Sequence, residues 1–197
     1  MLVLGAIVAV LVSLQLDAQP YENQRVVGGL LWLAIFFAGM IAVDQSFAAE
    51  RENGCWEGLT TYPLSATAIF VAKLIVNSIA LAAVQAVVIP LFTILTDVPL
   101  LASPGAVCIV AALGNIGIAA VGTLVSAAAA RIDRDNLLVI LVLPLVIPVL
   151  VTAAEASRLL AAGDFGPSWW YAIQLLAAFD VIFVTAGAVL FEFVMED

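Results

Sequence analysis

Apolar runs of 16 or more residues alternate with short polar breaks along the whole chain, and six of them stand out: 1–16, 27–43, 66–95, 106–130, 137–154 and 169–191. A run near 20 apolar residues is long enough to cross a hydrocarbon core of about 30 Å as a helix. The pattern predicts an all-α, polytopic membrane protein of six transmembrane helices. No polar stretch is long enough for a separate soluble domain, so residues 1–197 form one domain. The first run reaches only about 24 Å at the helical rise. No Lys or Arg precedes it, which argues against a secretory signal. A span lacking its upstream flank is the expectation.

The breaks carry their own signals. Ser65, after Pro63, is placed to cap the third span, and Lys73, two turns in, is expected to snorkel to the surface. Pro90 is expected to kink that helix. In the fourth span Ala111, Asn115, Ala119, Thr123 and Ala127 recur every four residues with Gly114, Gly117 and Gly122 nearby. Such a face lets helices approach closely in lipid, within the chain or between subunits. In the fifth, Pro144 and Pro148 lie one turn apart and "TAAEASRLLAAGDFGPS" follows. A break at these prolines is expected, with a re-entrant helical element at the external face between spans five and six. Irregular backbone at that depth must be covered by protein or line a wet cavity, so a conduit or an external contact is expected there.

Ionisable groups are sparse enough to be examined one by one. Asp180 falls near the middle of the last span, where a carboxyl is costly and a functional candidate by default. The structural alternative is a hydrogen-bonded carboxyl holding helices together, with Asn115 or Gln85 as partner. Glu155 is a second polar candidate, toward the outer face. Trp169, Trp170 and Tyr171 open the last span as an interfacial anchor.

Composition sharpens the picture. The mean hydropathy is +1.21, and 65% of residues are hydrophobic against 11% charged. A net charge of −9 argues against nucleic acid and against a polybasic patch for anionic lipid. If residues 47–65 are cytoplasmic, Arg51, Lys73, Arg131 and Arg134 lie inside and Arg25 and Arg158 outside, so the basic residues favour cytoplasmic termini. Cys55 and Cys108 fall in different settings and are not expected to pair. There is no His, which removes the commonest metal ligand and general base, and no GxxxxGK[ST] loop for a nucleotide. The chain is therefore expected to be no enzyme and to bind no metal or cofactor, with any nucleotide energy supplied by another subunit.

One stretch breaks the apolar pattern. "FAAERENGCWEGL" (47–59) brings Glu50, Arg51, Glu52 and Glu57 together around Gly54, Cys55, Trp56, Gly58 and Leu59. It suits a short interfacial helix on the cytoplasmic side between spans two and three. Trp56 and Leu59 would anchor a docking surface rimmed by carboxylates; a solvated turn is the plainer alternative.

"FAGMIAVDQSFAAERENGCWEGL" followed by "YPLSATAIFVAK" resembles the cytochrome c maturation protein B family, also called haem exporter protein B. The likeness continues in "LGNIGIAAVGTLVSAAAAR", "VLPLVIPVLVTAAEASR" and "AAFDVIFVTAGAVLFEFVMED" and covers nearly the whole chain. The family's usual basic amphipathic helix before the first span is not seen. The resemblance implies a permease subunit of the type-2 ATP-binding-cassette exporter kind, in the cell inner membrane. It implies a cytoplasmic coupling helix, with Glu50, Arg51, Glu52, Gly54, Cys55, Glu57, Gly58 and Leu59 matching that segment. It also implies a separate ATPase, cytochrome c maturation protein A, paired with two copies of the membrane subunit, and work alongside proteins C, D and E. The expected role is to couple ATP hydrolysis in that partner to haem delivery or to release of a haem-loaded chaperone. A permease moving lipid, polysaccharide or drug is the nearest rival. A proton-coupled carrier using Asp180 and a purely structural scaffold are rivals of other kinds.

Overall fold

The structure, a computed structural model, describes the backbone of residues 27–41, 65–129 and 137–196, and their side chains except at 126–129, 137–143 and 192–196. All regular structure among the described residues is helical. In chain order it comprises α1 (Val27–Ile41), α2 (Ala66–Thr96), a 3-10 turn (Leu100–Ala102), α3 (Pro104–Ala129), α4 (Leu137–Ala161) and α5 (Pro167–Glu196). Each of α2 to α5 contains a stretch long and apolar enough to cross a membrane, so the chain is a multi-pass membrane protein. The expected span 27–43 is represented by α1, and residues 1–16 lie outside the described residues. So does all of the charged stretch 47–59.

Local chemistry sets the helix ends. Ser65 caps α2 as expected, its Oγ accepting from the Ala68 amide at 3.3 Å. The helix stops at Asp97, which takes a left-handed conformation with φ of 56°, tolerated by Asp because its short polar side chain can bond locally. Pro104 and Pro167 open α3 and α5, where the missing N–H costs nothing. At the end of α4, Gly163 turns left-handed with φ of 69°. Its amide donates to the Leu160 carbonyl and that of Asp164 to the Leu159 carbonyl, the double closure that a C-terminal glycine permits. Asp164 Oδ1 then accepts from the Gly166 amide at 3.0 Å and feeds the chain into α5.

The prolines do not break the spans. Pro90 lies inside α2, and Pro144 and Pro148 lie inside an α4 that runs without interruption to Ala161. The expected re-entrant element is therefore absent: "TAAEASRLLAA" is the end of α4, and only residues 162–166 separate it from α5. The reason lies in the solvent. Each proline forfeits one backbone bond, whereas a break in hydrocarbon would strand several groups that no water can satisfy. Thr93 and Thr152 also return hydroxyl bonds to the Ile89 and Pro148 carbonyls, at 2.9 and 2.7 Å, as hydroxyls beside membrane prolines do.

α3 is the centre of the bundle, packed against α2, α4 and α5, while α5 also meets α2 and α4. Asn77 pairs with Thr123 and Gln85 with Ala111, so α2 and α3 run antiparallel. The start of α2 and the end of α4, carrying Lys73 and Arg158, consequently lie at opposite ends. Lys73, placed two turns into α2, is 9% exposed. The core holds Trp32, Phe36, Leu81, Phe92, Ile118 and Leu176.

Candidate functional site

The predicted small-residue face of α3 is used within the chain. Ala119 and Thr123 are fully buried and Asn115 nearly so; the side chain of Ala127 is not described. This face meets α2 through a polar seam. Asn77 Nδ2 donates to Thr123 Oγ1 at 2.9 Å, and Asn115 Nδ2 donates to the Ser78 carbonyl at 3.0 Å and to Gln85 Oε1 at 3.3 Å. Gln85 Nε2 donates in turn to the Ala111 carbonyl at 3.2 Å. Amide side chains suit this place because lipid offers no competing partner. Asn115→Ala removes two of these bonds. It is expected to cost about 1 kcal/mol, lowering the thermal midpoint of the purified protein in detergent by about 2–4 °C. An unchanged midpoint would show that the seam contributes nothing.

Beside the seam a lateral cleft of about 830 Å³ opens between α2 and α3. Its walls are apolar, its polar groups come from Ser78, Gln85 and Asn115, and the exposed Cys108 lies in its lining.

Asp180 does not join the seam. It is the fourteenth of 30 residues in α5, 6% exposed, with both carboxylate oxygens buried and without a hydrogen-bond partner among the described residues. The partners expected for it, Asn115 and Gln85, are engaged with α2 and α3 instead. Asp180 lies at the junction of α3, α4 and α5. A β-carbon added to Gly117 would come within 2.9 Å of both Asp180 Oδ1 and Val149 Cγ1, so the glycine makes the carboxyl's space.

Glu155 belongs to a different setting. Arg158, one turn later on α4, donates to its carboxylate from Nε at 2.8 Å and from Nη2 at 2.7 Å. The two side chains are 48% and 35% exposed. Glu155 lines a second cleft, of about 590 Å³, shared between α4 and the start of α5 with Thr152, Ser168 and Tyr171. The aromatic anchor beside it divides: Trp169 is buried, and Trp170 and Tyr171 are exposed. Asn115, Asp180 and Glu155 thus occupy three separate places rather than one centre. Among the described residues no three Cys, Asp or Glu side chains gather as they would around a metal.

Sequence reasoning missed the seat of α1. Gly28, Trp32, Ile35 and Gly39 share one buried face, and their spacing of four, three and four residues was the available signal. Trp32 lies against Gly114, Gly28 against the Ala154 carbonyl and Gly39 against Leu81.

The family model described as CcmB protein matches residues 1–194. A curated protein of Rhodobacter capsulatus named heme exporter protein B is 29% identical over 160 residues, covering 80% of this chain and 72% of that protein. The protein of the same name from Paracoccus denitrificans is 30% identical over 158 residues, with the same two shares. That of Bradyrhizobium diazoefficiens is 27% identical over 159 residues, covering 80% and 70%. No solved structure matches.

Proposed function

This chain belongs to the CcmB protein family, and from that premise we propose that it is the membrane permease subunit of an ATP-binding-cassette complex in cytochrome c biogenesis. ATP is hydrolysed by a separate subunit, cytochrome c maturation protein A, and the work is applied to haem delivery or to release of a haem-loaded chaperone. The observation that carries this reading is the family match along 194 of 197 residues. Support comes from the relatives, whose name makes them exporters of heme, and from a chain of apolar helices without a nucleotide-binding loop. This subunit does no covalent chemistry and holds no cofactor of its own.

In this reading two copies of the chain meet two ATPase subunits, and proteins C, D and E complete the system. Residues 47–59, which join α1 to α2, form the coupling helix on the cytoplasmic side. The sparse basic residues support that orientation: Lys73 and Arg158 fall at opposite ends of the bundle, and with residues 47–65 inside, Arg51, Lys73, Arg131 and Arg134 are expected inside against Arg25 and Arg158 outside. ATP closes the ATPase pair, pushes this segment and rocks the helices.

Deleting the gene tests the proposal directly. The expected result is loss of c-type cytochromes with accumulation of haem-bound chaperone. Normal cytochrome levels in the deletion strain would overturn it.

A further inference from the structure

We propose that Trp32 is a positioning residue that pins α1 to α3 and α4, so that a displacement of residues 42–64 is delivered to that helix pair. The inference rests on the coupling role proposed for that segment. α1 is the helix whose end, Ile41, leads directly into it.

Hydrocarbon gives an apolar helix little to hold on to, so α1 would slide or roll under load unless something keyed it in place. Trp32 supplies the key. Its side chain is 2% exposed, its ring lies on Gly114 of α3, and its indole Nε1–H donates to Ser157 Oγ of α4 at 2.9 Å inside the bundle. One turn earlier the Gly28 backbone meets the Ala154 carbonyl of α4. A β-carbon at Gly28 or Gly114 would overlap these neighbours, so the surfaces touch without play.

The surroundings leave no slack either. The void bordered by Trp32, Leu31, Ile89, Leu100, Val107 and Ser157 is about 20 Å³, room for one water at most. The ring has nowhere to re-seat, and close-packed interiors transmit displacement rather than absorb it. Leu100 lies in the turn between α2 and α3, so the pin stands toward the end of the bundle remote from the start of α2. A push entering at Ile41 is therefore carried along α1 and handed to α3 and α4 at the far side.

The test compares wild type, Trp32→Phe and Ser157→Ala. The phenyl ring keeps the apolar contact but cannot donate, and the alanine removes only the acceptor, so the two variants withdraw the bond from opposite sides, and the amount of folded protein is measured for each. ATP hydrolysis is measured on the complex purified with its ATPase, and c-type cytochrome yield in the same cells. The expected result is near-normal hydrolysis with cytochrome formed per ATP reduced by about fivefold, the scale of one buried hydrogen bond. An unchanged yield per ATP overturns the pin. So does a parallel fall in hydrolysis, yield and folded protein, which is what a merely structural contact would give. If the wild-type chain fails to copurify with an ATPase, the proposed function falls and this inference with it. A bound ATPase with an unchanged ratio removes the pin alone.

Discussion

With Glu57 reversed to Lys and Trp56 cut back to Ala, the chain is expected still to insert into the membrane but no longer to copurify with the ATPase proposed to drive it. Truncating a central aromatic anchor of an interface costs about 2 kcal/mol or more, roughly thirtyfold in affinity. Reversing a rim carboxylate adds like-charge repulsion wherever the partner presents an anion-binding surface, and such juxtapositions cost several kcal/mol. Together they exceed what a transient subunit contact survives. Neither residue belongs to an apolar run, so membrane insertion, driven by the spans, is unaffected. Affinity purification from solubilised membranes, with the amount of inserted chain measured in parallel, checks both halves. Undiminished ATPase in the purified fraction would place the docking surface elsewhere.

The second large effect is expected at Asp180, and it divides stability from activity. Asp180→Leu removes a buried carboxyl whose oxygens have no partner among the described residues and fills its space with apolar atoms of similar extent. Leaving a buried polar group unsatisfied costs about 1–3 kcal/mol, so the leucine variant should be the more stable protein, melting about 2–4 °C higher per kcal/mol regained. Its cytochrome yield should nevertheless fall. An ionisable side chain buried in a span is costly and a functional candidate by default, and a role in another arrangement of α3, α4 and α5 is what such a fall would report. A variant both more stable and fully active would show Asp180 to be dispensable.

Much of this architecture is legible in the sequence where the governing interaction is local. Ser65, Gly163 and the apolar lengths set the helix limits through capping and solvent, and the four-residue rhythm of Ala111, Asn115, Ala119 and Thr123 marks a packed face by itself. What escapes is the choice between partners. Asn115 has the same spacing whether it serves Asp180 or Gln85; only the rotation of α3 about its axis decides. Pro144 and Pro148 mislead for a related reason. Their local preference is for a break, and the surrounding hydrocarbon, which penalises a break more heavily, overrules it. The clamp on Trp32 depends on Gly28, Gly114 and Ser157 arriving from three helices, and no window of one sequence contains that coincidence.

The tight glycines have a consequence for anyone who surveys this protein by random mutagenesis. Gly28, Gly39, Gly114, Gly117 and Gly187 each abut a neighbouring helix so closely that even a methyl group would displace something. Inactivating changes will accumulate at those five positions in any saturation library. The resulting map will outline a lattice of helix crossings, and its hottest spots will mark where the scaffold cannot yield rather than where haem or a nucleotide is handled.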